Sequence, residues 1–266
     1  MIKPAAIGLF DSGVGGLSIM KEVRKLLPEE DLIYFADSAY CPYGIKTPEV
    51  IRARCFSICD FLLKEGVKLI VVASNTTSVA GLDLIRKHYR IPIVGVEPAI
   101  KPAAELSRNG KIGILATGVT INGERFSSLV ERFGSNIEVF TQPCPGLVEL
   151  VEEGKLDCPQ TEALLHRYMD PMLVHGSDTI VLGCTHYPFL RSLVEKIAGP
   201  QITVIDTGEA VARQVSRIVN TLNQISTGKQ GKEIFYTSGS TAKVTPIIQE
   251  LWQDKSLTVK HIELNT

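Results

Sequence analysis

The sequence predicts an α/β protein built as two pseudo-symmetric parallel-sheet domains, with the active site in the cleft between them. Three observations lead there. Short apolar runs alternate with helical periods along the chain, the pattern of parallel strands joined by right-handed crossovers. Two strand endings echo one another: Leu69-Ile70-Val71-Val72-Ala73-Ser74-Asn75-Thr76 and Thr179-Ile180-Val181-Leu182-Gly183-Cys184-Thr185-His186. Other segments repeat in the same order at a roughly constant offset, which argues for two related halves.

Each element follows in turn. Ala5 to Phe10 reads as a short buried strand. Asp11-Ser12-Gly13-Val14-Gly15-Gly16 then turns into a helix whose apolar face is Leu17, Met20, Val23, Leu26 and Leu27. A glycine-rich turn opening a helix can hold an anion on its backbone N–H groups. It is not the dinucleotide fingerprint, because Ser18 occupies the third glycine position. Asp11 is either the cap of that helix or a functional group at a strand's carboxyl end. Leu32 to Phe35 is a second strand, running into the Pro- and Gly-marked loop Asp37 to Gly44. A helix is expected over 48–65, then the Ser74 strand, a helix from Val79 to Tyr89, and a fourth strand from Ile91 to Val96.

The pattern then restarts. Ile112 to Val119 repeats Ile7 to Val14, and Phe140 to Gly146 resembles the Cys41 to Gly44 loop. Thr179 to His186 repeats the Ser74 strand, and Ile202 to Asp206 repeats Ile91 to Gly95. The tail is expected to return to the first half: a helix at 209–223, a polar loop at 228–231, and strands at 233–237 and 257–262 around a helix at 243–253. The expected domains are therefore 1–97 with 211–266, and 98–210.

Composition excludes several classes. The 266 residues carry a formal net charge of −1, which suggests neither nucleic acid nor an anionic membrane as partner. No apolar run approaches the ~20 residues of a membrane helix, and no h-region of a signal peptide is visible. The six cysteines are scattered, without metal-site spacing; free thiols in a reducing cytoplasm are expected.

The two strand ends suggest the chemistry. Related halves that face each other place one residue on each side of a ligand. Proton removal on one face of a carbon and return on the other inverts a stereocentre. Cys184 is a reasonable base, and His186, two residues on, can support its thiolate or donate a proton itself. The plain alternatives are a buried inert cysteine and a satisfied structural histidine.

The chain resembles the glutamate racemases, cofactor-independent enzymes of bacterial wall synthesis. The resemblance covers essentially the whole chain. It rests on Phe10-Asp11-Ser12-Gly13-Val14-Gly15-Gly16-Leu17, Pro42-Tyr43-Gly44, Asn75-Thr76, Gly95-Val96-Glu97-Pro98, Cys144-Pro145, Val151-Glu152-Glu153-Gly154 and Gly183 to Pro188. It implies two catalytic thiols, with Cys184 the base for L-glutamate. It also implies Asp11 and His186 as supporting acid–base groups and Glu152, or its neighbour Glu153, near His186. By the same resemblance Asp11, Ser12, Pro42, Tyr43, Gly44, Asn75, Thr76, Thr117, Thr185 and His186 bind glutamate. No metal, pyridoxal phosphate or nucleotide is implied as cofactor, and a cytoplasmic homodimer is expected.

Ser74 is the departure: the family carries cysteine there. A hydroxyl forms no useful anion near neutral pH without strong help, so one of two bases is weakened. Ser74 is either a deliberate exchange or the mark of a natural one-thiol relative. Two other functions remain open at this point. One is a single-cysteine decarboxylase-like relative, against which Asn75, Thr76 and His186 speak. The other is a non-enzymatic glutamate-binding racemase fold.

Overall fold

The computed structural model describes residues 5–134, 137–222 and 229–264. The first half begins with β1 (Ile7–Asp11), α1 (Leu17–Leu26), β2 (Leu32–Ala36), α2 (Pro48–Lys64), β3 (Leu69–Val72), α3 (Asn75–His88) and β4 (Ile93–Gly95). The chain then enters α4 (Ile100–Leu106), β5 (Lys111–Ala116), α5 (Gly118–Ile121), α6 (Glu124–Phe133) and β6 (Glu138–Pro143). It continues through α7 (Leu147–Glu152), α8 (Pro159–Val174), β7 (Thr179–Leu182), α9 (Arg191–Ala198) and β8 (Thr203–Ile205). The tail is α10 (Gly208–Thr221), β9 (Glu233–Thr237), α11 (Thr241–Trp252) and β10 (Val259–His261).

Two sheets result, and every strand pairing in both is parallel. The first has the order β10-β9-β2-β1-β3-β4 and the second β6-β5-β7-β8. The run β2-β1-β3-β4 thus has the same order as β6-β5-β7-β8, which is the repeat seen in the sequence. The tail strands extend the first sheet, with Leu32 opposite Glu233.

Period-two alternation sorts the side chains. In β1 and β3, Ile7, Leu9, Leu69 and Val71 point into a core that runs on to Leu147, Met169, Leu182 and Val211. Phe10, Ile70 and Val72 point the other way, against Ile51, Ile58 and Leu82. In the second sheet Ile112, Ile114 and Val181 meet Phe126. Strands covered on both faces are apolar throughout, which explains why they read as unbroken runs. Fully burying one such aliphatic side chain contributes about 1.5–3 kcal/mol.

Some element bounds differ from expectation. The helix after β3 starts at Asn75 rather than Val79, because Ser74 caps it. The fourth strand begins only at Ile93, since Pro92 has no N–H to offer the ladder. The Phe140 match falls inside β6, and the loop that mirrors the one after β2 begins at Cys144. The expected end of the 209–223 helix and Gly228 lie outside the described residues. No helix among the described residues is long and apolar enough to cross a membrane.

Candidate active site

The site forms where the carboxyl ends of β1, β3, β5 and β7 meet. Asp11 ends β1 and is fully buried. Gly16 caps α1, so Asp11 is not the helix cap. The Ser12 N–H donates to Asp11 Oδ1 at 2.7 Å, and Thr185 Oγ1 donates to Oδ2 at 3.0 Å. Burial raises the Asp11 carboxyl above its usual range, while His186 and these hydrogen bonds pull it partly back.

The glycine-rich turn does hold an anion, and the anion is the protein's own. The Val14 N–H donates to Glu152 Oε1 at 2.6 Å. A side chain at Gly13 would overlap that carboxylate, and one at Gly15 would overlap the His186 ring. Glu152 sits at the end of α7 and accepts from His186 Nε2 at 2.7 Å. Glu153 instead pairs with Lys155 on the surface, so the structure selects Glu152.

His186 Nδ1 lies 3.7 Å from Cys184 Sγ. Burial opposes charge on this imidazole, but hydrogen bonds to Cys184, Cys41 and Glu152 prevail and hold it well above the ordinary histidine value. The raised value favours the imidazolium form, in which one N–H can serve Glu152 and the other Cys184. His186 is not a histidine packed merely to fill space.

Across the cavity the arrangement differs. Ser74 follows β3 by two residues and caps α3, its Oγ accepting the Thr77 N–H at 3.2 Å. Asn75 and Thr76 form the first turn of that helix. Thr76 Oγ1 and Thr117 Oγ1 share a hydrogen bond at 3.0 Å, linking the two halves. Asn75 Oδ1 is buried with no hydrogen-bond partner among the described residues. The Pro42-Tyr43-Gly44 loop is anchored by the Tyr43 hydroxyl, which donates to Asp37. Asp37 also accepts Arg54 Nε at 2.9 Å, Arg54 Nη2 at 2.7 Å and Ser238 Oγ at 2.7 Å. The Tyr43 phenol is thus committed to the scaffold, and the loop offers backbone to the cavity.

Ser74, Cys184, Asp11, His186, Ser12, Pro42, Tyr43, Gly44, Asn75, Thr76, Thr117 and Thr185 all line one cavity of about 20 Å³. Of the residues singled out in the sequence only Glu152 stands behind it. Val148 lines it too, without a sequence signal to mark it, and so does Gly183, which the sequence marked only as part of the motif that runs to Pro188. The volume holds about one water molecule. A larger groove of about 1060 Å³ reaches the cavity at Gly44 and is lined by residues of α2, α3, α5 and α6 together with Glu97.

Residues 7–215 match the family described as Asp/Glu/Hydantoin racemase. The chain belongs to this racemase family. Glutamate racemase of Pseudomonas aeruginosa is 48% identical over 252 residues, 94% of this chain and 95% of that protein. The racemase of Herpetosiphon aurantiacus is 48% identical over 249 residues, 93% of this chain and 98% of its own. Among solved structures, the Escherichia coli glutamate racemase bound to L-glutamate and the activator UDP-MurNAc-Ala superposes with a TM-score of 0.87 at 31% identity, covering 99% of this chain and all 100% of the other. The Francisella tularensis racemase in complex with D-glutamate gives 0.85 at 27% identity, covering 98% of each chain. Racemase members thus share the whole length of this fold, both sheets and the tail strands included.

Proposed function

We propose that this chain interconverts L- and D-glutamate by proton transfer at Cα, supplying D-glutamate for the bacterial wall, and that Ser74 slows it severely. The observation that carries this is the placement of Ser74 and Cys184 at repeat-equivalent ends of β3 and β7, both lining one cavity. Cys184 takes the Cα proton of L-glutamate: the C–H bond breaks, the S–H bond forms, and the electron pair stays on Cα. The cationic His186, held by Glu152, puts a positive donor beside the sulfur. Asn75 Oδ1, lacking a partner, suits the substrate ammonium, and the Ser12, Thr76, Thr117 and Thr185 hydroxyls suit its carboxylates. On the opposite face only a hydroxyl waits, with the carboxyl of Asp11 in the same cavity.

The expected domains, 98–210 and the remainder, act here as two bodies that part to admit substrate, since a cavity for one water does not hold glutamate. The homodimer belongs to the same proposal; exposed Ile45 (76%), Val50 and Leu84 supply apolar surface for it. All six cysteines are free, which suits a cytoplasmic setting.

The test is a proton NMR time course in deuterated water. L-glutamate should acquire deuterium at Cα with its configuration mostly retained, while D-glutamate exchanges much less. Rapid, equal inversion of both would make Ser74 an adequate base. Binding without any exchange would make the chain a glutamate-binding racemase fold.

A further inference from the structure

The closed cleft brings together three groups from separate segments, two loops and the end of α7. Cys41 follows β2 in the first half; Glu152 and His186 belong to the second. The Cys41 sulfur, a His186 ring nitrogen and a Glu152 carboxylate oxygen all lie within 4.8 Å of one another. We infer that Cys41, Glu152 and His186 form a site for a borderline divalent cation of the zinc type, and that this cation holds the cleft shut against glutamate.

The donor set supports it. One sulfur, one imidazole nitrogen and one carboxylate oxygen suit zinc-class ions and not magnesium or calcium. At zinc bond lengths of about 2.0–2.3 Å a tetrahedral site holds its ligand atoms about 3.3–3.6 Å apart, so the ion must draw the triad in by up to about 1.5 Å. The Val14 N–H and His186 Nε2 both engage Glu152 Oε1, and among the described residues Oε2 makes no hydrogen bond. Oε2 can therefore ligate while Val14 keeps the carboxylate oriented, as outer contacts do in metal sites. His186 is 2% exposed, but Cys41 and Glu152 are only partly buried, which leaves a path for an ion. A fourth position remains for water.

The link to closure is geometric. Parting the halves separates Cys41 from the Glu152–His186 pair. A cation that needs all three binds the closed form, whose cavity has no room for the substrate. By linkage it then weakens glutamate binding, and glutamate weakens the cation's. Binding displaces one proton from the His186 ring and one from the Cys41 thiol, which burial pushes up to about 12, so the ion takes the imidazole that serves Cys184 and releases both protons to solvent. The cation is an inhibitor in this reading, not a cofactor.

The experiment uses the full chain, reduced and stripped of metal, titrated with Co²⁺ and then with Zn²⁺. A thiolate-to-cobalt band should grow in the near ultraviolet, saturate at one ion per chain, yield to Zn²⁺ and ignore Mg²⁺. Cys41→Ser should remove the band and weaken Zn²⁺ by at least about 100-fold, the upper end of what losing an outer contact costs. Cys184→Ser should keep the band. Glu152→Gln, which retains an oxygen for the Val14 N–H, should also weaken the ion and guards against a folding defect in the first variant. A band that survives Cys41→Ser, or disappears with Cys184→Ser, overturns the site. Saturating glutamate should lower the apparent affinity for Co²⁺; an unchanged affinity, with glutamate binding seen separately by calorimetry, overturns the closing role. Only this last arm rests on glutamate being the ligand; the cobalt band does not.

Discussion

Thr185 Oγ1 donates to Asp11 Oδ2 at 3.0 Å, and this bond ties the strand end of β1 to the strand end that follows β7. It spans the two halves, as do Val14 to Glu152 and Thr76 to Thr117. Asp11 is the fully buried carboxyl of that seam; the other, Glu152, is only partly buried.

Burial raises the Asp11 carboxyl, so the folded state prefers it protonated. A carboxyl whose folded value lies above its unfolded value of about 3.9 favours folding at low pH and loses that benefit as pH rises through the folded value. At pH 7 the buried charge is a cost. Asp11→Asn keeps an oxygen for the Ser12 N–H and removes the charge. The variant should be more stable than the parent at pH 7, with the gap narrowing as pH falls into the carboxylate range. Denaturant melts at several pH values check this. A variant less stable at every pH would show that the hydrogen bonds outweigh the charge. Exchange at Cα should fall in the same variant.

Ser74→Cys should restore inversion in both directions, by at least about 10²-fold, the lower end of what a positioned base contributes. A thiol there begins a 14-residue helix, where the N-terminal dipole favours its anion. Circular dichroism follows the inversion of each enantiomer. In the present background Cys184→Ser should abolish the residual exchange at L-glutamate. An exchange rate that survives Cys184→Ser would move the base elsewhere.

The Asp37–Arg54 pair is buried, with side chains 0% and 1% exposed. Removing one partner of such a pair leaves the other charge uncompensated, at about 3–5 kcal/mol. Asp37→Ala should cost that much in denaturant unfolding and should loosen the Pro42-Tyr43-Gly44 loop, whose phenol loses its acceptor. Substituting both, Asp37→Leu with Arg54→Met, should recover most of the stability. A single variant that unfolds like the parent would mean that water reaches the guanidinium.

The two parallel sheets were legible because strands covered on both faces must be apolar, and because the repeat supplied four strands twice; the order of strands within each sheet came only from the structure. Local spacing drew attention to Cys184 and His186 but left an inert cysteine and a structural histidine open, and Thr185 followed only from the family resemblance. Glu152 was not separable from Glu153: one residue at a helix end turns the side chain by about 100°, and the deciding partner, His186, is 34 positions away. The start of α3 was misplaced because Ser74-Asn75-Thr76-Thr77 has low helix propensity, although Ser74 is a good cap. Cys41 gave no signal of its place, since only closure of the two halves brings it to His186. The Asp37–Arg54–Ser238 network joins segments with no periodicity in common.

The pairing of β2 with β9 joins Leu32 to Glu233. During synthesis β2 emerges early and its outer edge has no neighbour until almost the whole chain has left the ribosome. Through that interval a strand of Leu32, Ile33, Tyr34 and Phe35 presents bare backbone donors and acceptors, a template for pairing with another nascent copy. The C-terminal segment therefore acts as a seal on the oldest part of the molecule. Chains cut short between residues 187 and 233 should keep every cavity-lining residue and still be lost to aggregation, because the unsealed edge, not the missing chemistry, decides their fate.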